Sequence, residues 1–207
     1  MKSTWMIVAG FLFGLMGVFG KLGSQDFSSA ELVFYRSLIG LVVIYGLARG
    51  QGLALATPHV ASHVWRGLSG FFALMLFFYA ISALPLATAI TLNYTSPLFL
   101  ALLLTLWLKE KPHWRLIGAI LLGFAGVVLL LRPNLHTEQI LGGMMGLASG
   151  FLAGIAYLNV KQLGALGEAE WRVVFYFTLI STLGAGAWML IHQFHALSWQ
   201  TLPILLG

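Results

Sequence analysis

The chain has 207 residues, of which 59% are hydrophobic and 8% are charged, and its formal net charge is +5. Its mean hydropathy of +0.92 excludes a soluble globule, because a chain of this length could not bury so much apolar surface. The lack of cysteine excludes disulfides, a thiolate nucleophile and a cysteine metal site.

Seven apolar runs are each long enough to cross the hydrocarbon layer, which is about 30 Å thick and takes a helix of about 20 residues. The runs are continuously apolar, unlike the alternating segments of a membrane barrel, so we expect helices. They lie near residues 5–22, 32–48, 64–84, 86–108, 116–131, 141–161 and 172–191, and an eighth begins near Leu202. The sequence therefore predicts an all-α membrane protein, a multi-pass helical bundle of seven full helices and the start of an eighth.

The sixth run repeats the first. Gly10–Lys21 and Gly150–Lys161 share Gly, Phe, Leu, Gly and Lys at equal spacing, and Phe34-Tyr35 recurs as Phe175-Tyr176 one helix later. The first unit holds five predicted helices, an odd number, so the second unit enters the membrane from the opposite side. The duplication therefore predicts an inverted repeat.

The repeat divides the chain into two parts. We predict a first repeat of five transmembrane helices over residues 1–133, and a partial second repeat, two full helices and the start of a third, over residues 140–207. Inverted repeats build carriers that work by alternating access, with the substrate site near the midplane of the membrane. Because the second unit is shorter than the first, we interpret the chain as a fragment of a longer protein or the product of a truncated gene.

Glycines form a small face on the first predicted helix and another on the sixth. A spacing of three or four residues puts them on one side of each helix, which permits a neighbouring helix to approach closely. They are Gly10, Gly14, Gly17 and Gly20, and Gly142, Gly146, Gly150 and Gly154. We predict that both faces pack against other helices, and such smooth faces could also slide during a transport cycle.

Lysines and arginines are distributed unevenly between the two sides of the membrane, which predicts the orientation. A cytoplasmic N-terminus leaves only Lys21 and Arg132 outside. The inside set is Lys2, Arg49, Arg66, Lys109, Lys111, Arg115, Lys161 and Arg172. We therefore predict a protein of the cytoplasmic (inner) membrane with its N-terminus in the cytoplasm. The excess of basic residues is explained by this orientation, so no nucleic-acid partner is predicted.

Arg36 is the one charge well within a spanning run of the first unit. A charge at this depth is costly and suggests a function. The alternative is that Arg36 snorkels to the outer interface or pairs with Glu31. If Arg36 faces a cavity, it favours substrates that carry a carboxylate or a phosphate.

The fourth run is the most polar and contains Asn93, Tyr94 and Pro97. Pro97 has no amide hydrogen, so the carbonyl of Asn93 four residues earlier loses its helical partner. Within a membrane, such groups are satisfied by neighbouring helices, by water in a cavity or by a ligand. We predict either that this stretch lines a site or that its interhelical bonds shape a kink.

The remaining candidates are fewer. Tyr79, Tyr157 and Asn159 could each donate a hydrogen bond to a polar ligand, although a structural role explains them too. His59 and His63 have a helical spacing but no carboxylate or cysteine nearby in sequence, so no metal and no cofactor are predicted. No cluster of nucleophile, acid, base or metal ligands indicates an enzyme.

A set of motifs at the end of the first unit resembles the drug/metabolite transporter superfamily, and within it the EamA-type carriers. The set consists of Ala83–Ala89, Pro97, Leu108–Lys111, Gly118, Gly123, Gly126 and Arg132-Pro133. This set looks like the end of a family repeat, which consists of a polar fourth helix with a central proline, a short loop with a glutamate, and a glycine-rich fifth helix. The resemblance implies ten helices in two repeats, with helices one to four and six to nine around a central cavity.

From the resemblance we expect transport of a small metabolite, such as an amino acid, a nucleoside or a related polar or amphipathic solute, often outward and by alternating access. The candidate substrate-binding residues are Arg36, Tyr79, Asn93, Tyr94 and Asn159. The expected partners are the lipid bilayer, the small-molecule substrate and, as an assembly to be tested, a second copy in a homodimer. The alternative is a non-functional or structural membrane fragment of such a transporter.

Overall fold

The computed structural model describes residues 2–108, 114–131 and 137–192, and these residues form eight helices and no strand. The helices are α1 (Lys2–Gly23), α2 (Ser29–Gly50), α3 (Val60–Ala83), α4 (Leu86–Asn93), α5 (Ser96–Leu108), α6 (Trp114–Leu131), α7 (Thr137–Ala165) and α8 (Glu170–Ile191). The helix predicted from Leu202 and the loop from Lys109 to Pro112 lie outside the described residues.

Five segments are long and apolar enough to cross a membrane. They are Ser29–Gly50, Val60–Ala83, Leu86–Leu106, Gln139–Ala165 and Glu170–Ile191. The described apolar parts of α1 and α6 are shorter, at Gly10–Gly23 and Ile117–Val127. The prediction of an all-α, multi-pass membrane protein is confirmed.

The fourth apolar run is not one helix, because the helix is interrupted at Tyr94 and Thr95, between α4 and α5. Pro97 becomes the second residue of α5, where the missing amide hydrogen costs little because the first turn of a helix has no internal acceptors for its amides. The Thr95 hydroxyl donates to the carbonyl of Leu92 at 2.6 Å, and the Thr95 carbonyl accepts from the amide of Leu98 at 2.9 Å. The prediction of one helix over 86–108 is therefore wrong at its centre.

Side chains satisfy the free backbone groups at two helix ends. At the start of α2, Ser28 and Glu31 form a capping box, in which each side chain accepts from the other residue's amide. At the end of α3, the Lys21 ammonium donates to the carbonyls of Ile81 at 2.6 Å and Leu84 at 3.0 Å. A cation there satisfies carbonyls that have no partner in the helix and complements the helix dipole.

Helix α7 packs against α3, α4 and α5. Its glycine face meets the side chains of Ala83 and Leu92 through Gly142 and Gly146, and Gly154 lies against the backbone of α5. The prediction that this face packs against other helices is confirmed. On α1 only Gly17 and Gly20 pack in this way, because a Cβ at Gly10 or Gly14 would meet no atom of the described residues within 4 Å.

Close glycine contacts also fix the relative directions of α2, α3 and α8. Gly40 and Thr178 are neighbours, and so are Phe34 and Gly186, so α2 and α8 run in opposite directions. The pairs of Gly67 with Ile180 and of Phe71 with Gly184 show that α3 runs parallel to α8. Helices α2 and α3 are therefore antiparallel. The antiparallel α2 and α8 have the relation that an inverted repeat requires, while the division into repeats stays a prediction.

Candidate functional site

A cavity of about 140 Å³ lies between the helices of the bundle. Six helices contribute to its wall, so parts of both predicted repeats surround it. The lining residues are Phe13 of α1, Arg36 of α2, Arg66, Gly70, Ala73, Leu74 and Phe77 of α3, Asn93 of α4, Ala153, Ala156 and Tyr157 of α7, and Phe177 of α8.

Two arginines line this cavity, one from α2 and one from α3. Arg36 lies seven residues after Ser29, about 10 Å along α2 at 1.5 Å per residue, and Arg66 lies six residues after Val60, about 9 Å along α3. Because α2 and α3 are antiparallel, these two depths are counted from opposite sides of the membrane. Both arginines therefore lie well inside their spans.

The Arg66 guanidinium is held by packing. Its carbon lies 4.4 Å from the ring centroid of Phe177, in a cation–π contact. A Cβ built on Gly70 would collide with Arg66 Nη1 and would lie 2.8 Å from the Phe177 ring, so the glycine provides the room for the guanidinium. Arg66 Nε and Nη1 are buried without a hydrogen-bond partner.

Asn93 lines the cavity and also joins two helices. Its side-chain amide donates to the hydroxyl of Ser149 on α7 at 3.1 Å, and that hydroxyl donates to the carbonyl of Gly146 at 2.6 Å. The two roles that the sequence offers for Asn93 therefore coexist in one side chain. Gly150 lies opposite the break, where a Cβ would be 2.8 Å from the carbonyl oxygen of Leu92.

The other predicted site residues do not line the cavity. Tyr94 is 55% exposed, and its ring stacks on Phe13 with the centroids 5.7 Å apart. The side-chain amide of Asn159 lies 3.5 Å from the hydroxyl of Ser69, linking α7 to α3. Tyr79 is 38% exposed and is not among the lining residues. Of the five predicted residues, the structure brings only Arg36 and Asn93 together around one space.

The cavity has an unbalanced charge. Its described lining contains two arginines and no carboxylate. Ion pairs join Glu168 to His63 and to Arg172. The pairing of Arg36 with Glu31 stays a prediction.

A second polar cluster, here called the loop cluster, consists of Thr57, His63, Glu168 and Arg172 and lies beyond the C-terminal end of α7. Glu168 accepts hydrogen bonds from the hydroxyl of Thr57 and from Arg172 Nη1, the latter at 2.6 Å. Its carboxylate also lies 3.4 Å from Nε2 of the buried His63. The bonds from Thr57 and Arg172 hold the pKa of Glu168 at about 2, well below the usual 4.5. The loop cluster thus ties the segment before α3 to the segment before α8.

The sequence reasoning missed Arg66 as a cavity residue. The apolar run predicted near residues 64–84 puts Arg66 among the basic residues at the cytoplasmic end of a helix. The structure begins α3 at Val60, shortly after Pro58, which puts Arg66 well inside the span. The signal available in the sequence was Pro58, because a helix commonly begins soon after a proline.

The fold and the cavity define a class: a multi-pass helical membrane protein with a cavity between its spans, lined in part by Arg36, Arg66, Asn93 and Tyr157. The EamA-like transporter family model matches residues 2–132, and the chain therefore belongs to the EamA-like transporter family. The predictions of an EamA-type chain and of a transporter-family protein rather than an enzyme are confirmed.

Curated relatives of the chain carry transporter names. It is 34% identical over 183 residues to the pseudopaline exporter CntI of Pseudomonas aeruginosa, covering 86% of this chain and 63% of that protein. It is 27% identical over 184 residues to the riboflavin transporter of Vibrio cholerae, covering 86% of this chain and 61% of that protein. The S-adenosylmethionine uptake transporter of Rickettsia prowazekii is 25% identical over 183 residues, 86% of this chain and 60% of that protein.

These relatives are longer than this chain, which spans less than two thirds of their length. A solved crystal structure of a protein superimposes with a TM-score of 0.62 at 20% identity, over 92% of this chain and 72% of that one. At that identity the similarity supports the helical fold alone.

Proposed function

We propose that the protein transports a small metabolite across the membrane by alternating access. The observation that carries this proposal is the polar cavity between the spans, whose wall combines α1 to α4 with α7 and α8. Carriers built from inverted repeats bind their solute in such a place. The relatives named as exporter or uptake transporters act on small molecules, which supports the same class of function.

The proposed substrates are amino acids, nucleosides and related polar or amphipathic solutes, with export as the proposed direction. The proposed binding residues remain Arg36, Tyr79, Asn93, Tyr94 and Asn159. Arg66 and Tyr157 join them, because both line the cavity. A homodimer stays a prediction.

Flux into proteoliposomes tests the proposal. The purified chain is reconstituted, and entry of radiolabelled glutamate, succinate, lysine and uridine is followed in both directions. Ala73 lines the cavity, so Ala73→Leu fills part of it and should slow the flux of any transported solute. Ala61→Leu is the matched control, because Ala61 is exposed on the same helix. If no solute crosses above the level of empty vesicles, the chain is a structural fragment instead.

We also propose the inner membrane as the location, with the N-terminus in the cytoplasm. The chain has no native cysteine, so single cysteines report on sidedness without background. Gln25 and Gln51 are both exposed and lie at the ends of two different loops. An impermeant maleimide added to intact cells should label Gln25→Cys and spare Gln51→Cys. The reverse pattern would overturn the orientation.

A further inference from the structure

We infer that the cavity is a binding site for a short dicarboxylate held by Arg36 and Arg66, either as a whole solute or as the acidic part of a larger one. This inference rests on the proposed transport function and names the class of solute. Both guanidinium groups remain protonated in proteins and donate through several N–H groups. Their natural ligands are carboxylates and phosphates, which bind two N–H groups at once.

Among the described residues, nothing in the wall of the cavity balances the charge of these two cations. The described lining contains both arginines and no carboxylate. Buried N–H groups without acceptors are costly, and the cost is greater for a charged group. Arg66 has two such nitrogens, Nε and Nη1. A ligand with acidic oxygens would satisfy these donors and neutralise the charge.

The arrangement of the arginines selects for two acidic groups at separate points. Arg36 reaches the cavity from α2 and Arg66 reaches it from the antiparallel α3. A single carboxylate carries one charge and would balance only one of the two guanidinium groups. A molecule with two acidic groups matches both. Asn93 and Tyr157 add further polar groups to the wall.

The volume of the cavity sets the length of the ligand. At about 140 Å³ it is similar to a cavity of about 150 Å³ that binds benzene, a ring of six carbons. Succinate, with a two-carbon chain between its carboxylates, has a comparable size. A large aromatic solute would not fit in this conformation, although its acidic substituent could.

Gly70 and Phe177 position the Arg66 guanidinium rather than bind the ligand themselves. The ring lies 4.4 Å from the guanidinium carbon, and the glycine leaves the space that Nη1 occupies. Gly70→Ala would therefore displace the guanidinium while the charge stays in the protein. This substitution separates a positioned donor from a merely positive cavity.

Equilibrium binding of radiolabelled succinate to the full chain in nanodiscs of zwitterionic lipid tests the inference. Succinamide has the same shape without charge, and it should not compete. Arg36→Gln and Arg66→Gln should each weaken binding by about tenfold to a hundredfold, the loss expected for a hydrogen bond to a charged group. Arg49→Gln is the matched control, because Arg49 is exposed at the end of α2, and its affinity should stay within about twofold of the wild type.

Gly70→Ala should also weaken succinate binding, by less than Arg66→Gln. The inference is overturned if succinamide competes as well as succinate, a result that needs no variant and is independent of folding defects. It is also overturned if Arg49→Gln weakens binding as much as the cavity substitutions. A third arm adds phosphatidylglycerol to the nanodiscs, and loss of succinate binding there would assign the arginines to a lipid phosphate instead.

Flux and binding distinguish this inference from the transport proposal. If uridine or lysine crosses the membrane while succinate neither binds nor crosses, the protein is a transporter and the dicarboxylate site is refuted. If succinate binds with the expected dependence on Arg36 and Arg66 but no solute crosses, the site stands and the transport proposal is refuted.

Discussion

Equivalent glycines of the two duplicated segments should respond in opposite ways to the same substitution. Gly10 and Gly150 share their local sequence, but they differ in their neighbours. A Cβ at Gly150 would collide with the Thr95 hydroxyl and would lie 2.8 Å from the carbonyl oxygen of Leu92, whereas a Cβ at Gly10 would meet no described atom within 4 Å. Gly10→Ala should therefore be neutral or stabilising, and Gly150→Ala should destabilise the bundle.

The magnitude follows from two opposing terms. Replacing a helical glycine by alanine gains up to about 1 kcal/mol in helix propensity, and this gain is common to both sites. Overpacking against backbone costs about 1–3 kcal/mol, and it applies only at Gly150. The difference between the two variants isolates the packing cost, because the propensity gain cancels. We expect Gly150→Ala to be less stable than Gly10→Ala by about 1–3 kcal/mol.

Unfolding in mixed micelles, followed by circular dichroism, measures this difference. Gly14→Ala and Gly154→Ala form a second matched pair, because Gly154 lies 3.2 Å from the backbone of α5 by the same construction and Gly14 faces open space. If the two members of each pair have the same unfolding midpoint, the close approach of α7 to the α4–α5 region does not affect stability, and the reasoning is refuted.

Three other contacts can be tested by substitution. The folded-state pKa of Glu168 is about 2, below the usual 4.5. Its stabilising contribution is therefore present above about pH 4.5 and is lost as the pH falls toward 2. Across that window the melting temperature of the wild type should fall more than that of Glu168→Gln, and equal acid sensitivity of the two proteins would contradict this. Lys21→Met removes the bonds to the end of α3 and should cost about 1 kcal/mol in chemical denaturation, while Lys21→Arg should retain most of it; no loss in the Met variant would show that the cap is dispensable. Ser149→Ala removes the partner of Asn93 and should cost only about 0.6 kcal/mol, the mean for an interhelical bond in a membrane; a loss above about 2 kcal/mol would show that the bond does more than join two helices.

Composition and apolar run length were sufficient to predict the helical membrane fold, because the bilayer requires every span to satisfy its own backbone. They could not predict the break at Tyr94 and Thr95. A proline near the middle of an apolar run permits a kink, a break or a new helix start. Here the Thr95 hydroxyl satisfies the carbonyl of Leu92, and Gly150 of α7 lies close to the same place. The second contact depends on a helix that is distant in sequence.

The site could be predicted in part for a related reason. Arg36 and Asn93 are polar groups deep inside apolar runs, so their types alone make them conspicuous. Tyr157 and Tyr94 are indistinguishable in sequence, yet only Tyr157 lines the cavity, because the chain break turns Tyr94 onto Phe13. Arg66 was missed because hydropathy marks where an apolar run begins, and a helix can begin one turn earlier.

The packing of α7 against three earlier helices has a consequence for the order in which the bundle assembles during synthesis. Helices leave the ribosome in chain order, so α3, α4 and α5 reach the membrane before the helix that packs against all three. Until α7 arrives, the Asn93 amide lacks its Ser149 partner, and the side chains that meet the glycine face of α7 have no helix to pack against. The early helices therefore enter the membrane without these contacts, and the bundle is complete only after synthesis has passed well beyond the middle of the chain.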